Sequence, residues 1–105
     1  MEEGIKWLRK SAEQGFAPVQ YELGLCFHGG LGVDVDMDES IKWFRKAAEQ
    51  GDAWAQYNLG FCYENGNGIT KNLLEAIHWY RKAAEQNHKD AVESLNRLGE
   101  SLPPQ

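Results

Sequence analysis

Three stretches of the chain can be laid on one another: Ile5-Lys-Trp-Leu-Arg-Lys-Ser-Ala-Glu-Gln-Gly15, Ile41-Lys-Trp-Phe-Arg-Lys-Ala-Ala-Glu-Gln-Gly51 and Ile77-His-Trp-Tyr-Arg-Lys-Ala-Ala-Glu-Gln-Asn87. The interval is 36 residues and needs no gap, and residues 5–40 and 41–76 agree at 18 of 36 positions. A fixed period of this length marks a repeat architecture, in which each repeat is one supersecondary unit.

Each unit contains two patterns with helical spacing. Residues 53–65 place Ala55, Leu59, Cys62 and Tyr63 on one face and form a helix A. Residues 73–86 place Leu73, Ile77, Tyr80 and Ala84 on one face, with Ala76 and Ala83 beside them, and form a helix B. Gly15, Gly51 and Asn87 follow helix B, where a left-handed residue ends a helix. Asp52 stands where it can cap the next helix A. Gly30 with Gly32, and Gly66 with Gly68, break the connection from A to B. β-branched residues are few and never alternate, so no strand is expected.

One helix pair is too thin to bury its own apolar face; stacked pairs bury it against one another, as in a solenoid. The expected organisation is all-α, about six helices in a single domain over residues 1–105. Residues 2–14 form a helix B with no helix A before it, 17–50 and 53–86 are full repeats, 88–99 form a capping helix, and 100–105 are a tail. The capping helix carries Val92, Leu95 and Leu98 as a stripe, with Lys89, Asp90, Glu93 and Arg97 outside. A polar outer face suits a terminal repeat.

Composition narrows the function. Of 105 residues, 42% are hydrophobic and 26% charged, and the net charge is −5 with the signs interleaved. No basic stripe is present to displace counterions from nucleic acid. No run of 18 apolar residues would span a membrane, and the acidic N-terminal stretch does not read as a signal peptide. Two cysteines, Cys26 and Cys62, do not make a disulfide framework. They hold the same position in successive repeats, about 8–10 Å apart for stacked helices, too far to bridge. Two free, buried thiols are expected, which favours the cytoplasm.

Chemical motifs fail on inspection. Asp34-Val-Asp36-Met-Asp38 opens like a calcium loop, but Glu39 stands where glycine is needed and Arg45 where glutamate is needed. These acids read instead as helix N-terminal residues, with Asp36 or Asp38 as the cap. The glycines of 28–32 and 65–68 precede no phosphate-loop lysine and follow no strand. His28, His78 and His88 lie in separate elements without zinc spacing. No nucleophile motif surrounds any serine. No enzyme, no metal and no cofactor is expected. Lys42, Arg45 and Lys46 alternate with Glu39 and Glu49, which reads as a solvated face.

What remains is a surface. Trp7, Trp43 and Trp79 obey the period and Trp54 does not. Trp54, Tyr57, Asn58, Phe61 and Asn65 lie opposite the apolar face of helix A. That side changes between copies: Pro18 becomes Trp54, Glu22 becomes Asn58, Leu25 becomes Phe61, and His28 becomes Glu64. The register carries the stripe on to Asp90, Ser94 and Arg97. Leu23/Leu59, Gly24/Gly60 and Gln20/Gln56 repeat unchanged and read as scaffold, a reading that Tyr21/Tyr57 share. In helical-pair solenoids the A helices line the concave surface, so this stripe is the expected groove. Trp54 and Phe61 are its apolar anchors, and Asn58 and Asn65 offer side-chain amides. Trp54 has a competing use, filling the gap between repeats.

The run Ala55 to Gly60, Tyr63, Gly66, Gly68, Ala76, Trp79, Tyr80, Ala83 and Ala84 resembles the Sel-one-like repeat (SLR), a cousin of the tetratricopeptide repeat. The resemblance extends over residues 5 to about 96. It implies a right-handed α-solenoid of stacked antiparallel helix pairs, and an adaptor that holds a protein or peptide without catalysis. Some secreted bacterial relatives carry paired cysteines in each repeat; a single cysteine per repeat departs from that pattern. A second reading is a structural or self-associating segment of a longer repeat protein. Ile5, Trp7, Leu8 and Ala12 would then form an apolar patch covered by an upstream repeat or, in a homodimer through residues 5–12, by a second copy.

Overall fold

Short polar side chains start the helices. Asp36 accepts from the Glu39 amide at 3.1 Å, Asp52 from Ala55 at 2.9 Å, and Asn72 from Glu75 at 3.1 Å. Each satisfies one of the amides that a first turn leaves without an intrahelical partner. Pro18 sits in the first turn of the helix after Phe16, where its missing N–H costs nothing. In this computed structural model, which describes residues 2–99 with side chains from Ile5 onward, the helices are α1 (Glu2–Glu13), α2 (Ala17–Gly29), α3 (Met37–Glu49), α4 (Ala53–Asn65), α5 (Leu73–Ala84) and α6 (Lys89–Arg97). No strand occurs among the described residues. The tail expected over 100–105 lies outside them.

Each helix packs chiefly on its neighbours in the chain, giving an elongated body of 46 × 25 × 17 Å. α1, α3 and α5 are the B helices; α2, α4 and α6 are the A helices. Among the described residues none is long and apolar enough to cross a membrane. The turn from B to A needs a left-handed residue, and Asn87 takes that conformation (φ 66°) where the earlier copies have glycine.

Two devices repeat with the period. The first is a glutamine bridge. Gln20 donates to the carbonyl of Ala12 at 3.0 Å and accepts from Gln50 at 2.7 Å. Gln56 donates to Ala48 at 3.1 Å and accepts from Gln86 at 3.0 Å. Both inner glutamines are buried, so the scaffold reading of Gln20/Gln56 has a physical basis: each ties its A helix to the B helices before and after it. The second is the tryptophan slot. Trp43 is buried among Ile5, Ala12, Leu23 and Phe27. One period on, Trp79 joins Ile41, Ala48, Leu59 and Tyr63.

The structure corrects several expectations. Leu73 is exposed; the buried stripe of α5 is Ala76, Trp79, Tyr80, Ala83 and Ala84. Leu73 stands at the first position of its helix, next to the Asn72 cap, whose backbone amide donates to the Tyr63 carbonyl at 2.9 Å. The N-terminal patch is smaller than expected, because Ile5 and Ala12 are buried against α2 and α3 and only Trp7 stands out, at 73% exposure. Both cysteines are free, but only Cys62 is buried. Cys62 faces α2, with Leu25 and His28 nearby, and burial pushes its thiol pKa up to about 11. Cys26 has no A helix on the corresponding flank. Arg45 is not merely solvated: it donates to the Tyr63 hydroxyl at 2.6 Å and lies over that ring.

Candidate interaction surface

The side of the A helices turned from the core carries two adjoining depressions. The first, about 270 Å³, lies between α2 and α4 and is mainly apolar: Leu25, Phe44, Phe61 and Cys62, with His28, Tyr57 and Asn58 at its edges. The second, about 450 Å³, lies between α4 and α6 and is polar: Glu64, Asn65, Asp90, Glu93, Ser94 and Arg97. Tyr57 and Phe61 line both, so the two form one track across three helices. The stripe lies there because residues 57, 58, 61 and 65 fall on one side of a helix, while Ala55, Leu59, Cys62 and Tyr63 take the buried side.

The expected residues are distributed unevenly along this track. Leu25, His28, Tyr57, Asn58, Phe61, Asn65, Ser94 and Arg97 all line it. Glu22 is exposed on α2 but lines neither depression. Trp54 also lies outside both, half exposed, with its ring edge-on to His88 at 4.3 Å between centroids. Phe61 is 41% exposed. Ser94 is buried in the wall. The Asn58 amide donates to the Tyr21 hydroxyl at 3.2 Å, and the Asn65 amide to its own helix at Phe61. Tyr57 stacks on His88 at 5.0 Å and lies 5.7 Å from Tyr80.

His88 explains the position of Trp54. Its Nδ1 accepts from the Ala91 amide at 3.3 Å and caps α6. The ring is 9% exposed, flanked by Trp54 and Tyr57. Trp54 thus helps cover an aromatic cap that the other repeats lack, since Phe16 and Asp52 hold the equivalent positions.

Sequence reasoning placed Glu64 on the changing face, as the counterpart of His28, without making it one of the expected groove residues. Its carboxylate receives two bonds from the Arg97 guanidinium, at 2.6 and 2.8 Å, and one from the Tyr80 hydroxyl at 2.7 Å. Arg97 holds the Glu64 pKa below the usual carboxylate value, against the opposing effect of burial. Burial, and then Glu64, raises that of Tyr80. The bidentate pair ties α6 to α4 and engages the guanidinium expected to face a partner. The signal in the sequence was the spacing of Glu64, Tyr80 and Arg97, which only the stacking of α4, α5 and α6 turns into proximity. Because the folded pKa of Glu64 is depressed, its contribution is full above the unfolded value near 4.5 and is lost as pH falls through the folded value. Glu64→Gln is expected to lower stability at pH 7 by about 1 kcal/mol and to flatten the loss on acidification. Urea unfolding of parent and variant from pH 7 to pH 3 checks this; equal losses across that range would remove the assignment.

The Sel1 repeat profile matches residues 1–16, 17–52 and 55–88. The chain belongs to the Sel1 repeat family. Among solved structures, it is similar to a protective antigen of uropathogenic Escherichia coli displaying an SLR fold, with 40% identity and a TM-score of 0.89 over 93% of this chain and 22% of that one. It is similar also to a Sel1 repeat protein of Oxalobacter formigenes, with 40% identity and a TM-score of 0.87 over 97% of this chain and 43% of that one. Cysteine-rich protein B of Helicobacter pylori shares the fold at 24% identity and a TM-score of 0.84, over 90% of this chain and 71% of that one. The chain therefore spans less than half the length of the first two. None of the curated proteins compared with it matches. Sel1 repeat proteins are in general non-catalytic scaffolds for protein interactions, and the SLR architecture implied by the motif resemblance is the one found.

Proposed function

We propose that this Sel1 repeat chain is a non-catalytic adaptor that holds a peptide or protein segment on its A-helix face. The observation that supports it is the continuous track through Leu25, Tyr57, Phe61 and the α4–α6 depression. A large aromatic side chain at 41% exposure in such a track has the chemistry of an interface anchor. Panning a random dodecapeptide library against the protein, then measuring the recovered peptides by fluorescence anisotropy, tests the reading. Phe61→Ala is expected to weaken them about tenfold or more without shifting thermal unfolding. Binders indifferent to both Phe61→Ala and Leu25→Ala would place the contact elsewhere.

A second reading is favoured by Trp7. Its ring stands exposed among Lys6, Arg9, Lys10, Glu13 and Gln14, while its counterparts at 43 and 79 are buried by repeat stacking. A second copy, or a preceding repeat of a longer solenoid, would cover it. Sedimentation over a hundredfold range of concentration separates these. A dimer lost in Trp7→Lys supports self-association; a monomer throughout rejects it.

A further inference from the structure

The basic residues of this molecule are sorted by helix, while its acids are shared: of the 16, seven lie on the B helices and four on the A helices. Eight of its 11 lysines and arginines lie on the B helices: Lys6, Arg9, Lys10, Lys42, Arg45, Lys46, Arg81 and Lys82. α2 and α4 carry none. Acids on the A helices are Glu22, Glu64, Asp90 and Glu93. Along the track, Arg97 is the cation that lines the polar depression, and it is paired with Glu64. Asp90 and Glu93 are exposed there, with no ion pair formed by either among the described residues. The apolar depression adjoins this acidic end directly, across the ring of Phe61.

We infer that the segment held on the A-helix face is basic as well as apolar, with one large apolar side chain in the Leu25–Phe61 depression and a lysine or arginine over Asp90 and Glu93. The inference rests on the groove reading above and adds the chemistry of the occupant. The spacing follows from the scaffold. Neighbouring packed helices lie about 8–10 Å apart, and an extended chain advances about 3.3 Å per residue. The apolar depression lies between α2 and α4 and the acids stand on α6, about one and a half such spacings on, so the two side chains are about four residues apart. An acidic segment would meet like charge at the α4–α6 end of the track, whereas a basic one is both steered to that end and registered on it. The depth of the apolar depression supplies contact area, and the rim acids supply preference.

The test uses the same random dodecapeptide library, panned at low salt. A recovered peptide is synthesised with a fluorescein label, beside a copy in which its Lys or Arg is replaced by Gln. Recovered sequences are expected to pair an aromatic or aliphatic residue with a basic one. The Gln copy is expected to bind about two- to fivefold more weakly, and the gap to close in 0.5 M salt at about a 4 Å screening length. Asp90→Asn with Glu93→Gln is expected to shrink the gap between the two peptides. Recovered peptides that are acidic or uncharged, yet weakened by Phe61→Ala, would overturn the basic assignment and leave the groove standing. Peptides indifferent to both Phe61→Ala and Leu25→Ala, or no recovered peptide at all, would remove the groove and this inference together.

Discussion

Trp43→Ala is expected to destabilise the protein by about 3–5 kcal/mol, and Trp7→Ala, the same residue one period earlier, by less than about 0.5 kcal/mol. Trp43 is 2% exposed and Trp7 is 73% exposed. The buried ring fills a slot made by Ile5 and Ala12 of α1 and Leu23 and Phe27 of α2. Its Nε1 donates to Glu39 at 3.1 Å, and the Lys42 ammonium lies 4.9 Å from the ring centroid. Glu39 in turn faces Arg9 at 3.8 Å across the α1–α3 contact. Removing the indole therefore empties the joint between the first B helix and the rest. In a solenoid, stability is close to a sum of units and their nearest-neighbour interfaces, so a lost joint exposes α1 to unfolding by itself. Urea denaturation of both variants, with hydrogen exchange on α1, is the measurement. Similar small losses at both positions would show that the slot contributes little and that repeat stacking rests elsewhere.

This contrast marks how much was legible. The period gave the helix pairs, because identical residues at equal intervals must sit in equal surroundings wherever the neighbours are equal. It could not give the surroundings at an end. Trp7 matches Trp43 in identity and not in burial, and Cys26 matches Cys62 in the same way. Leu73 was assigned to the core by spacing alone, yet it stands exposed at the first position of α5. Capping residues were legible, since Asp36 and Asp52 act within their own first turns. His88 was not, because an imidazole becomes a cap only when Trp54 and Tyr57 enclose it. On the A-helix face the wheel located the track, since the alternation of buried and exposed positions is local. It gave the partners of those side chains less well. Arg97 and Glu64 lie 33 residues apart, and Asn58 and Tyr21 lie 37 apart. Such pairs depend on how two helices stack, which no single helix encodes.

Gly24→Val is expected to destabilise by an amount at the upper end of about 1–3 kcal/mol, and the effect comes from one ring. A glycine inside a helix costs about 1 kcal/mol relative to alanine, so α2 and α4 retain one against their own propensity. A Cβ built on Gly24 would lie 2.6 and 2.7 Å from the Phe44 Cδ1 and Cε1 atoms. On Gly60 it would meet the Tyr80 ring at 2.9 Å and the Ala76 carbonyl at 3.1 Å. Both rings are buried. Phe44 is 1% exposed and packs on Tyr21 at 5.8 Å, while Ser40 donates to the Gly24 carbonyl at 2.8 Å and holds the two helices together. If the ring is the cause, the cost of Gly24→Val should fall in a Phe44→Leu background, with a coupling of about 1–3 kcal/mol. Simple additivity in the double-mutant cycle would instead assign the cost to the backbone of α2. The third copy supplies the control: Asn96 takes the equivalent place on α6, is exposed, and has no B-helix ring over it among the described residues. Asn96→Val should therefore change stability by no more than about 0.5 kcal/mol, because what requires glycine is the aromatic ring crossing above it rather than the position in the repeat.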